Sequence, residues 1–188
     1  MIQAIEQTSS SKKLIKNYSA RSAKENAKIK SLVKLTAIFR NAQLNGLKIV
    51  HAHGVFDLLH VGHIRHLEQA KEIGDILVVT ITPDHFVNKG PHRPAFTEQL
   101  RAHALAALES VDYVAITESP TSVETIEHLK PDIFVKGTEF KELNDMTGAV
   151  SLEAEAVKAV GGEIKFVGDI ISSSSSLMNQ HLAQFTEP

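Results

Sequence analysis

The sequence predicts an α/β fold of three layers, in which a parallel sheet lies between two layers of helices. The first observation is a series of five short β-rich segments, at 48–53, 75–82, 112–116, 132–136 and 163–167. The second is that most stretches between them are long enough for a helix and repeat apolar residues at helical spacing. Strand and helix in alternation indicate βαβ units, which require parallel strands and right-handed crossovers.

The third observation is composition. The chain has 188 residues, 43% hydrophobic and 22% charged, which suits one globular core and argues against a disordered or coiled-coil chain. A net charge of -2 supplies no basic field for nucleic acid or an anionic membrane, so neither is an expected partner. Apolar runs such as 76–81 are far shorter than the roughly 20 residues of a membrane helix. The absence of cysteine excludes disulfides, thiolate metal sites and a cysteine nucleophile, and suits the cytoplasm.

The segment before the first strand is predicted to be a polar arm over about 1–20 followed by an amphipathic helix over about 21–47. Its apolar stripe includes Ile29, Leu32, Val33 and Leu35, and Gly46 lies where a helix-ending glycine is expected. We expect the stripe to pack onto the sheet layer or across a dimer interface. The chain is thus divided into an N-terminal helical extension, 1–47, and a main domain, 48–188.

The remaining helices are predicted around 64–73, 100–108, 123–129 and 152–160, the last closed by Gly161 and Gly162. In open parallel sheets, ligands bind beyond the carboxyl ends of the strands. The residues that follow the first strand are therefore the first candidates for a functional site.

The first strand leads into two histidines three residues apart, within the sequence His53-Gly54-Val55-Phe56-Asp57-Leu58-Leu59-His60-Val61-Gly62-His63. This segment is not a GxGxxG fingerprint, and the chain contains no GxxxxGK[ST] phosphate loop. His60 and His63 share one face at a helix N-terminus, where free N–H groups and the helix dipole favour an anion. Gly62 leaves room for a phosphate to approach the backbone.

Two other interpretations of the histidines remain open. They are partly buried residues at a helix start, or they are zinc ligands with Asp57 as the nearby acidic partner. Zinc needs three or four ligands, and without cysteine few candidates exist near this turn.

The segment 54–63 resembles the GxFDxxHxGH signature of the cytidylyltransferase-like nucleotidyltransferases. The likeness extends over about 48–182, including 105–113, the segment 131–137 and a late serine cluster. Within the family, the chain is similar to glycerol-3-phosphate cytidylyltransferase and to the nucleotidyltransferase domain of bifunctional ADP-heptose synthase. The resemblance implies a Rossmann-like sheet and transfer of a nucleoside monophosphate from CTP or ATP to a sugar phosphate or polyol phosphate, with release of pyrophosphate.

The resemblance also implies roles for individual residues. His60 and His63 would donate hydrogen bonds to the α-phosphate, and Lys89, in the loop 88–94, would supply positive charge. Substrate binding falls to Arg93 and Arg101. Nucleotide binding falls to a larger set, drawn from the turn after the first strand, the end of the fourth strand and the serine cluster: Gly54, Val55, Phe56, Asp57, Gly62, Lys136, Gly137, Glu139, Ser173, Ser174 and Ser175.

Two positions depart from the family pattern. Glycerol-3-phosphate cytidylyltransferases carry an arginine shortly before the serine motif, where this chain has Phe166-Val167-Gly168-Asp169. Relatives have an aspartate after the glycine that follows the fourth strand, where this chain has Glu139.

A triphosphate substrate implies Mg²⁺, held mainly by phosphate oxygens, with Asp57 as the candidate protein ligand. The alternative is that Asp57 orients the turn before the helix. The expected partners are a nucleoside triphosphate, a small phosphorylated substrate and a second copy of the chain. Alternatives are another acceptor, phosphopantetheine or nicotinate mononucleotide, and a nucleotide-binding regulatory module without catalysis.

Overall fold

The computed structural model describes residues 26–90, 93–141 and 148–168. Within these residues, five parallel strands form one sheet in the order β3-β2-β1-β4-β5. The strands are β1 (Ile49–Gly54), β2 (Ile76–Ile81), β3 (Tyr113–Ile116), β4 (Ile133–Gly137) and β5 (Glu163–Val167). The helices are α1 (Leu32–Leu44), α2 (Val61–Glu72), α3 (Glu98–Ala106), α4 (Val123–Leu129) and α5 (Ala149–Ala159), with short 3-10 helices at Asp84–Phe86 and Thr138–Phe140. Each strand agrees with its predicted range to within one residue at either end.

The helices cover both faces of the sheet, which confirms the three-layer prediction. Alternate strand residues point to opposite faces, so Val50 and Ala52 of β1 pack with Leu67 of α2 and Leu105 of α3. On the opposite face, α1, α4 and α5 contribute the buried side chains Leu35, Phe39, Leu129, Ile126 and Val157. None of the helices in the described part of the chain combines the length and apolar character needed to cross a membrane.

Helix α1 is shorter than predicted and buries a different stripe. It begins at Leu32 because Ser31 caps it, accepting a hydrogen bond from the Lys34 N–H at 3.4 Å. Ile29 precedes the helix and forms a parallel bridge with Val114, and residues 21–25 lie outside the described part. The stripe prediction was wrong for Val33, which is 82% exposed.

The face of α1 that contacts the sheet is formed by Leu35, Phe39 and Ala42, spaced as one side of a helix requires. Packing onto the sheet layer, one of the two predicted arrangements, is therefore observed. Gly46, with φ of +78°, follows the helix in the left-handed conformation that glycine adopts most readily.

The sheet order places β1 at its centre, with β2 and β3 on one side and β4 and β5 on the other. After β1, the chain adds β2 and β3 on one side of β1, and it then crosses over to add β4 and β5 on the other side. The carboxyl ends of β1 and β4 flank this switch point, where ligands bind in open α/β sheets.

Candidate functional site

A cavity of about 400 Å³ lies at the carboxyl ends of β1 and β4. Many of its lining residues come from three places: the turn after β1, the start of α2 and the end of β4 with the residues that follow it. Eleven of the predicted nucleotide-binding and catalytic residues line it: Gly54, Val55, Phe56, Asp57, His60, Gly62, His63, Lys89, Lys136, Gly137 and Glu139. The described chain thus brings the two halves of the predicted site together.

The turn between β1 and α2 is built around a constrained backbone. Phe56 has φ of 48°, a left-handed conformation that is uncommon for a bulky residue, and its side chain is nevertheless buried. A Cβ at Gly54 would lie only 3.1 Å from the Phe56 ring, so the glycine allows that ring to fold back over the strand end. The turn then delivers His60 to the N-cap position of α2.

His60 and His63 lie face to face at the start of α2. Their ring centroids are 3.8 Å apart with an interplanar angle of 28°, and the Phe56 ring lies edge-on to His63 at 5.3 Å. Both ring nitrogens of His60 and Nδ1 of His63 are shielded from solvent and have no hydrogen-bond partner within the described residues. The imidazoles are therefore held by packing of their rings, and these nitrogens remain available to a ligand.

Both histidines are neutral at pH 7. Burial lowers the pKa of His60, and burial together with the nearby His60, His66 and Lys89 lowers the pKa of His63 to about 4. A backbone hydrogen bond to Leu58 acts in the opposite direction on His63 but is the weaker influence. A neutral imidazole has one N–H donor and one acceptor nitrogen, so each ring can donate one hydrogen bond, and in His63 an anion competes with the Leu58 backbone for that single N–H.

Asp57 is occupied by the protein itself. Its Oδ1 accepts hydrogen bonds from the backbone N–H groups of Ala95 and Phe96 at 2.7 and 3.1 Å, and its Oδ2 lies 2.7 Å from Nε of Arg93. The carboxylate therefore ties the β1 turn to the segment after β2. This arrangement supports an orienting role for Asp57, directed at that segment rather than at its own turn, and does not fit a Mg²⁺ ligand.

Arg101 lies beneath the same loops, with its side chain fully buried. Its guanidinium donates to the carbonyl oxygens of Phe96, Val55 and Thr82 and pairs with Asp84 at 2.7 Å. Neither Arg101 nor Arg93 is among the residues that line the cavity. Both predicted substrate-binding arginines are thus engaged by protein groups.

Lys89 is the cation that reaches the cavity from the loop after β2. Partial desolvation and the neighbouring Arg93 and Arg101 lower its pKa, whereas Asp57 raises it. Residues 91–92 of the same loop lie outside the described part of the chain.

In the part of the cavity wall that β4 forms, Lys136 makes a buried ion pair with Glu153 of α5. Nζ of Lys136 lies 2.5 Å from Oε2 of Glu153, whose Oε1 accepts a 2.6 Å hydrogen bond from the Ser122 hydroxyl. The Glu139 carboxylate folds over Gly137, where a Cβ would lie 2.1 Å from it. Gly137 therefore provides the space that Glu139 occupies.

Sequence reasoning missed six polar residues of the cavity: His53, His66, Thr82, Thr121, Thr138 and Glu153. His66 follows His63 by one helical turn, and its Nδ1 lies 3.1 Å from the carbonyl oxygen of Val167. The i, i+3 spacing of histidines, which continues from His63 to His66, is the signal that could have identified His66. Glu153 gave no comparable signal, because its place in the cavity depends on how α5 packs against β4.

The binding of Mg²⁺ itself and the roles of the serine residues stay predictions. Among the described residues, no group of three or more histidine, aspartate or glutamate side chains could hold a metal ion. Ser173, Ser174 and Ser175 lie outside the described residues.

Known proteins resemble this chain in sequence. The cytidylyltransferase-like family matches residues 51–180. The bifunctional protein HldE of Geobacter metallireducens is 42% identical over 143 residues, covering 75% of this chain and 28% of the relative. HldE of Methylobacillus flagellatus is 38% identical over 167 residues, covering 88% and 33%. The chain therefore spans about three tenths of the length of the curated relatives it matches.

Solved structures also resemble this chain. A lipopolysaccharide core biosynthesis protein from Thermoplasma volcanium is 29% identical with a TM-score of 0.54, over 68% of this chain and all of that protein. Pantoate-beta-alanine ligase from Francisella tularensis shares the fold, with 19% identity and a TM-score of 0.54 over 80% of this chain and 72% of the ligase. The family match and the relatives confirm the prediction of a nucleotidyltransferase fold and enzyme class. This chain belongs to the cytidylyltransferase-like family.

Proposed function

We propose that the protein transfers a nucleoside monophosphate from CTP or ATP to a sugar phosphate or polyol phosphate. An oxygen of the acceptor phosphate forms a bond to the α-phosphorus, and the bond from that phosphorus to the α,β-bridging oxygen breaks. Pyrophosphate leaves with the electron pair. The observation that carries the proposal is the pair His60 and His63, which line a cavity at a helix N-terminus. Both ring nitrogens of His60 and Nδ1 of His63 are shielded there and have no partner among the described residues.

The chemistry needs little help from a base. The second pKa of a phosphate monoester is about 6, so the acceptor is already largely ionised at pH 7. Catalysis then depends on holding the two substrates in line and on stabilising charge at the α-phosphate. Two neutral imidazoles suit this task, because their rings are already held in place at the start of α2 by stacking on each other and against Phe56.

The start of α2 adds a further contribution. His60 makes no side-chain cap hydrogen bond to the helix, so its side chain does not satisfy the first backbone N–H groups of α2. An anion at this end gains from those N–H groups and from the helix dipole. Lys89 lies on the loop that lines the same cavity and adds a positive charge close to the histidines.

The proposal assigns the nucleoside to the wall formed by the end of β4 and the residues after it. Lys136 is held by Glu153 and lies 5.5 Å and 5.6 Å from the ring centroids of Phe134 and Phe140. Gly137 and Glu139 line the same wall. In the proposal, Glu139 replaces the family's aspartate as an acceptor for the ribose.

The proposal also covers Mg²⁺, the positioning residues, the oligomeric state and the location in the cell. Mg²⁺ would enter with the triphosphate and be held by phosphate oxygens, since the Asp57 carboxylate is already occupied. Asp57, Arg93 and Arg101 act as positioning residues beneath the loops. A homodimer and a cytoplasmic location complete the proposal; the latter is supported by the absence of cysteine.

The test is a screen for acceptor-dependent pyrophosphate release. Purified protein is incubated with each of four nucleoside triphosphates and Mg²⁺, together with sugar phosphates, glycerol 3-phosphate, phosphopantetheine or nicotinate mononucleotide. Pyrophosphatase then converts the product to phosphate for detection. The proposal expects release only when a sugar or polyol phosphate is present, and samples without acceptor control for simple hydrolysis.

Other outcomes of the screen would contradict the proposal in distinct ways. Release only with phosphopantetheine or nicotinate mononucleotide would change the acceptor class. Nucleotide binding by calorimetry without release for any acceptor would favour a regulatory module.

A further inference from the structure

A column of alternating histidine and threonine side chains runs from the core to the cavity. The Thr80 hydroxyl lies 2.7 Å from Nε2 of His51 and 2.9 Å from Nδ1 of His53. Nε2 of His53 lies 3.2 Å from the Thr82 hydroxyl. His53 and Thr82 line the cavity, whereas His51 and Thr80 are completely buried.

The pairing of β1 and β2 creates this column. His53 is in register with Thr80, and His51 is in register with Val78. Because alternate residues of a strand share a face, His51 and His53 of β1 lie on the same face as Thr80 and the following Thr82. No motif in the sequence marks these residues, and the reaction proposed above does not use them.

Both rings in the column are neutral. Burial is the main influence that lowers the pKa of His51 well below its ordinary value, and Lys136 and His53 add to the effect. Burial and Lys136 lower the pKa of His53 to about 3. Each ring therefore has one N–H and one lone-pair nitrogen. Among the described residues, the buried Thr80 hydroxyl contacts only these two rings, so its proton is satisfied only if it donates to one of them. That donation can run towards His51 or towards His53.

His51 decides between these directions. Its Nδ1 is buried and has no hydrogen-bond partner among the described residues. Buried N–H groups without an acceptor are rarer in native proteins than buried acceptors without a donor. Nδ1 of His51 is therefore the lone-pair nitrogen, and Nε2–H donates to Thr80.

The remaining directions follow in sequence. Thr80 accepts from His51, and Nδ1 of His53 is the only other partner of its buried hydroxyl among the described residues, so the O–H donates to that nitrogen. His53 then has its proton on Nε2 and donates to the oxygen of Thr82. The O–H of Thr82 has no acceptor left in the column, and Thr82 lines the cavity. Arg101 fixes the backbone beneath it by donating from Nη2 to the Thr82 carbonyl oxygen at 2.8 Å.

We propose that Thr82 is a substrate-binding residue whose hydroxyl donates a hydrogen bond to an anionic oxygen of the bound nucleotide. His51, Thr80 and His53 are positioning residues that direct the Thr82 proton towards the cavity. The opposite direction would present a lone pair of Thr82 to the same anion and repel it. The identity of the ligand rests on the proposed function, whereas the direction of the column does not.

The direction is tested in the free protein by nitrogen-15 NMR of the histidine rings, which distinguishes the two neutral tautomers. The full chain is used at pH 7.5, with the signals assigned through the backbone. The proposal expects His51 and His53 to carry their protons on Nε2. A proton on Nδ1 of either ring would overturn it, whatever the protein binds.

The binding role is tested with ATP and CTP by calorimetry. Thr82→Val removes the donor and keeps the shape, and we expect nucleotide affinity to fall about ten- to a hundredfold, whereas Thr82→Ser should retain it. Thr80→Val should also weaken binding, although Thr80 is buried, and Thr80→Ser should restore it. Thr117→Val is the matched control, since the buried Thr117 hydroxyl donates to Ile81 and Ser119 carbonyls and should affect stability alone.

Unchanged affinity in Thr82→Val would overturn the binding role. Equal loss in Thr82→Val and Thr82→Ser would do the same, because the hydroxyl would then not be the group that matters. Failure of the wild-type protein to bind ATP or CTP would contradict the proposed function and the role of Thr82 together, and the tautomers would still report on the column.

Discussion

His60 and His63 differ from Asp57 and Arg101 in what holds their polar atoms, although all four belong to loops or helices at the same edge of the sheet. Asp57 and Arg101 are satisfied by backbone groups and ion pairs within the protein. The histidine rings are held by stacking, with three ring nitrogens shielded but without partners in the described residues. The difference separates groups that maintain the shape of the site from groups that can respond to a ligand.

The difference also explains why the charged residues are so completely satisfied. A buried charge without a partner costs several kcal/mol, so a buried arginine is stable only if its donors are matched. An imidazole can stay neutral in the same environment at far lower cost. The neutral rings of His60 and His63 can therefore remain without a bound anion at little cost in stability.

The largest expected effect is on stability when Arg101 is removed. Arg101→Met leaves the carbonyl groups of Val55 and Thr82 and the carboxylate of Asp84 without their donor, so we expect a loss of about 3 to 5 kcal/mol in the free energy of unfolding. Urea denaturation measures this loss. The control is Arg65→Met, because Arg65 pairs with Glu68 on the surface and should change stability by less than about 0.5 kcal/mol.

A contrary result for Arg101 would remove the difference between groups that maintain the shape of the site and groups that bind the ligand. If Arg101→Met denatures like the wild type but binds nucleotide much more weakly, Arg101 would belong with the ligand-binding groups.

The next largest effect is on turnover when His63 is removed. We expect His63→Ala to lose about 10²- to 10³-fold in turnover, as for the deletion of one oxyanion-hole donor, with little change in thermal melting. His60→Ala should behave alike, and the exposed His128→Ala is the control. Turnover is measured at saturating substrates, alongside melting curves and a zinc chelator.

Three results would argue against this role for the histidines. Near-normal turnover in His63→Ala would exclude it as a phosphate donor. A large loss of stability would indicate a core residue, and inactivation by the chelator despite added Mg²⁺ would indicate zinc.

The strands and the histidine turn could be predicted from the sequence because their signals are local. Apolar runs of strand length mark β1 to β5, and the segment from Gly54 to His63 is contiguous. The start of α1 was predicted too early for an equally local reason, since apolar periodicity continues from Ile29 whereas the helix begins only after its Ser31 cap.

The remaining features depend on contacts between distant segments. Arg101 looks like a surface residue of a helix until α3 packs beneath the loops after β1 and β2. The contact of Asp57 with Ala95 and Phe96 spans 38 and 39 residues. The column of His51, Thr80, His53 and Thr82 requires the register of β1 against β2, which hydrophobic pattern alone does not determine.

A smaller effect is expected at Lys89. Like Asp57 and Arg101 it is charged, and like His60 and His63 it lines the cavity, although its side chain is exposed. We expect Lys89→Ala to lower turnover about ten- to a hundredfold and nucleotide affinity by less, because a positive charge at the cavity stabilises the transition state, where negative charge develops, more than the bound substrate. Turnover and nucleotide affinity are compared with those of Lys158→Ala, an exposed lysine of α5. Equal losses in both quantities would make Lys89 a simple anchor.

The smallest expected effect is the dependence of stability on pH that comes from His53. Its pKa is lowered from 6.5 to about 3, so between these values the unfolded chain binds a proton that the folded protein does not. Stability should therefore fall as the pH falls below about 6.5, by at most about 1.4 kcal/mol per pH unit for one group, and His53 should contribute nothing above that range. Urea denaturation between pH 6.5 and 5 measures how the free energy of unfolding changes with pH.

We expect this slope to be shallower for His53→Asn than for the wild type, and unchanged for His128→Gln, which removes an exposed ring. Identical slopes for His53→Asn and the wild type would show that His53 is protonated in the folded protein, and the neutral column from His51 to Thr82 would then lose its basis.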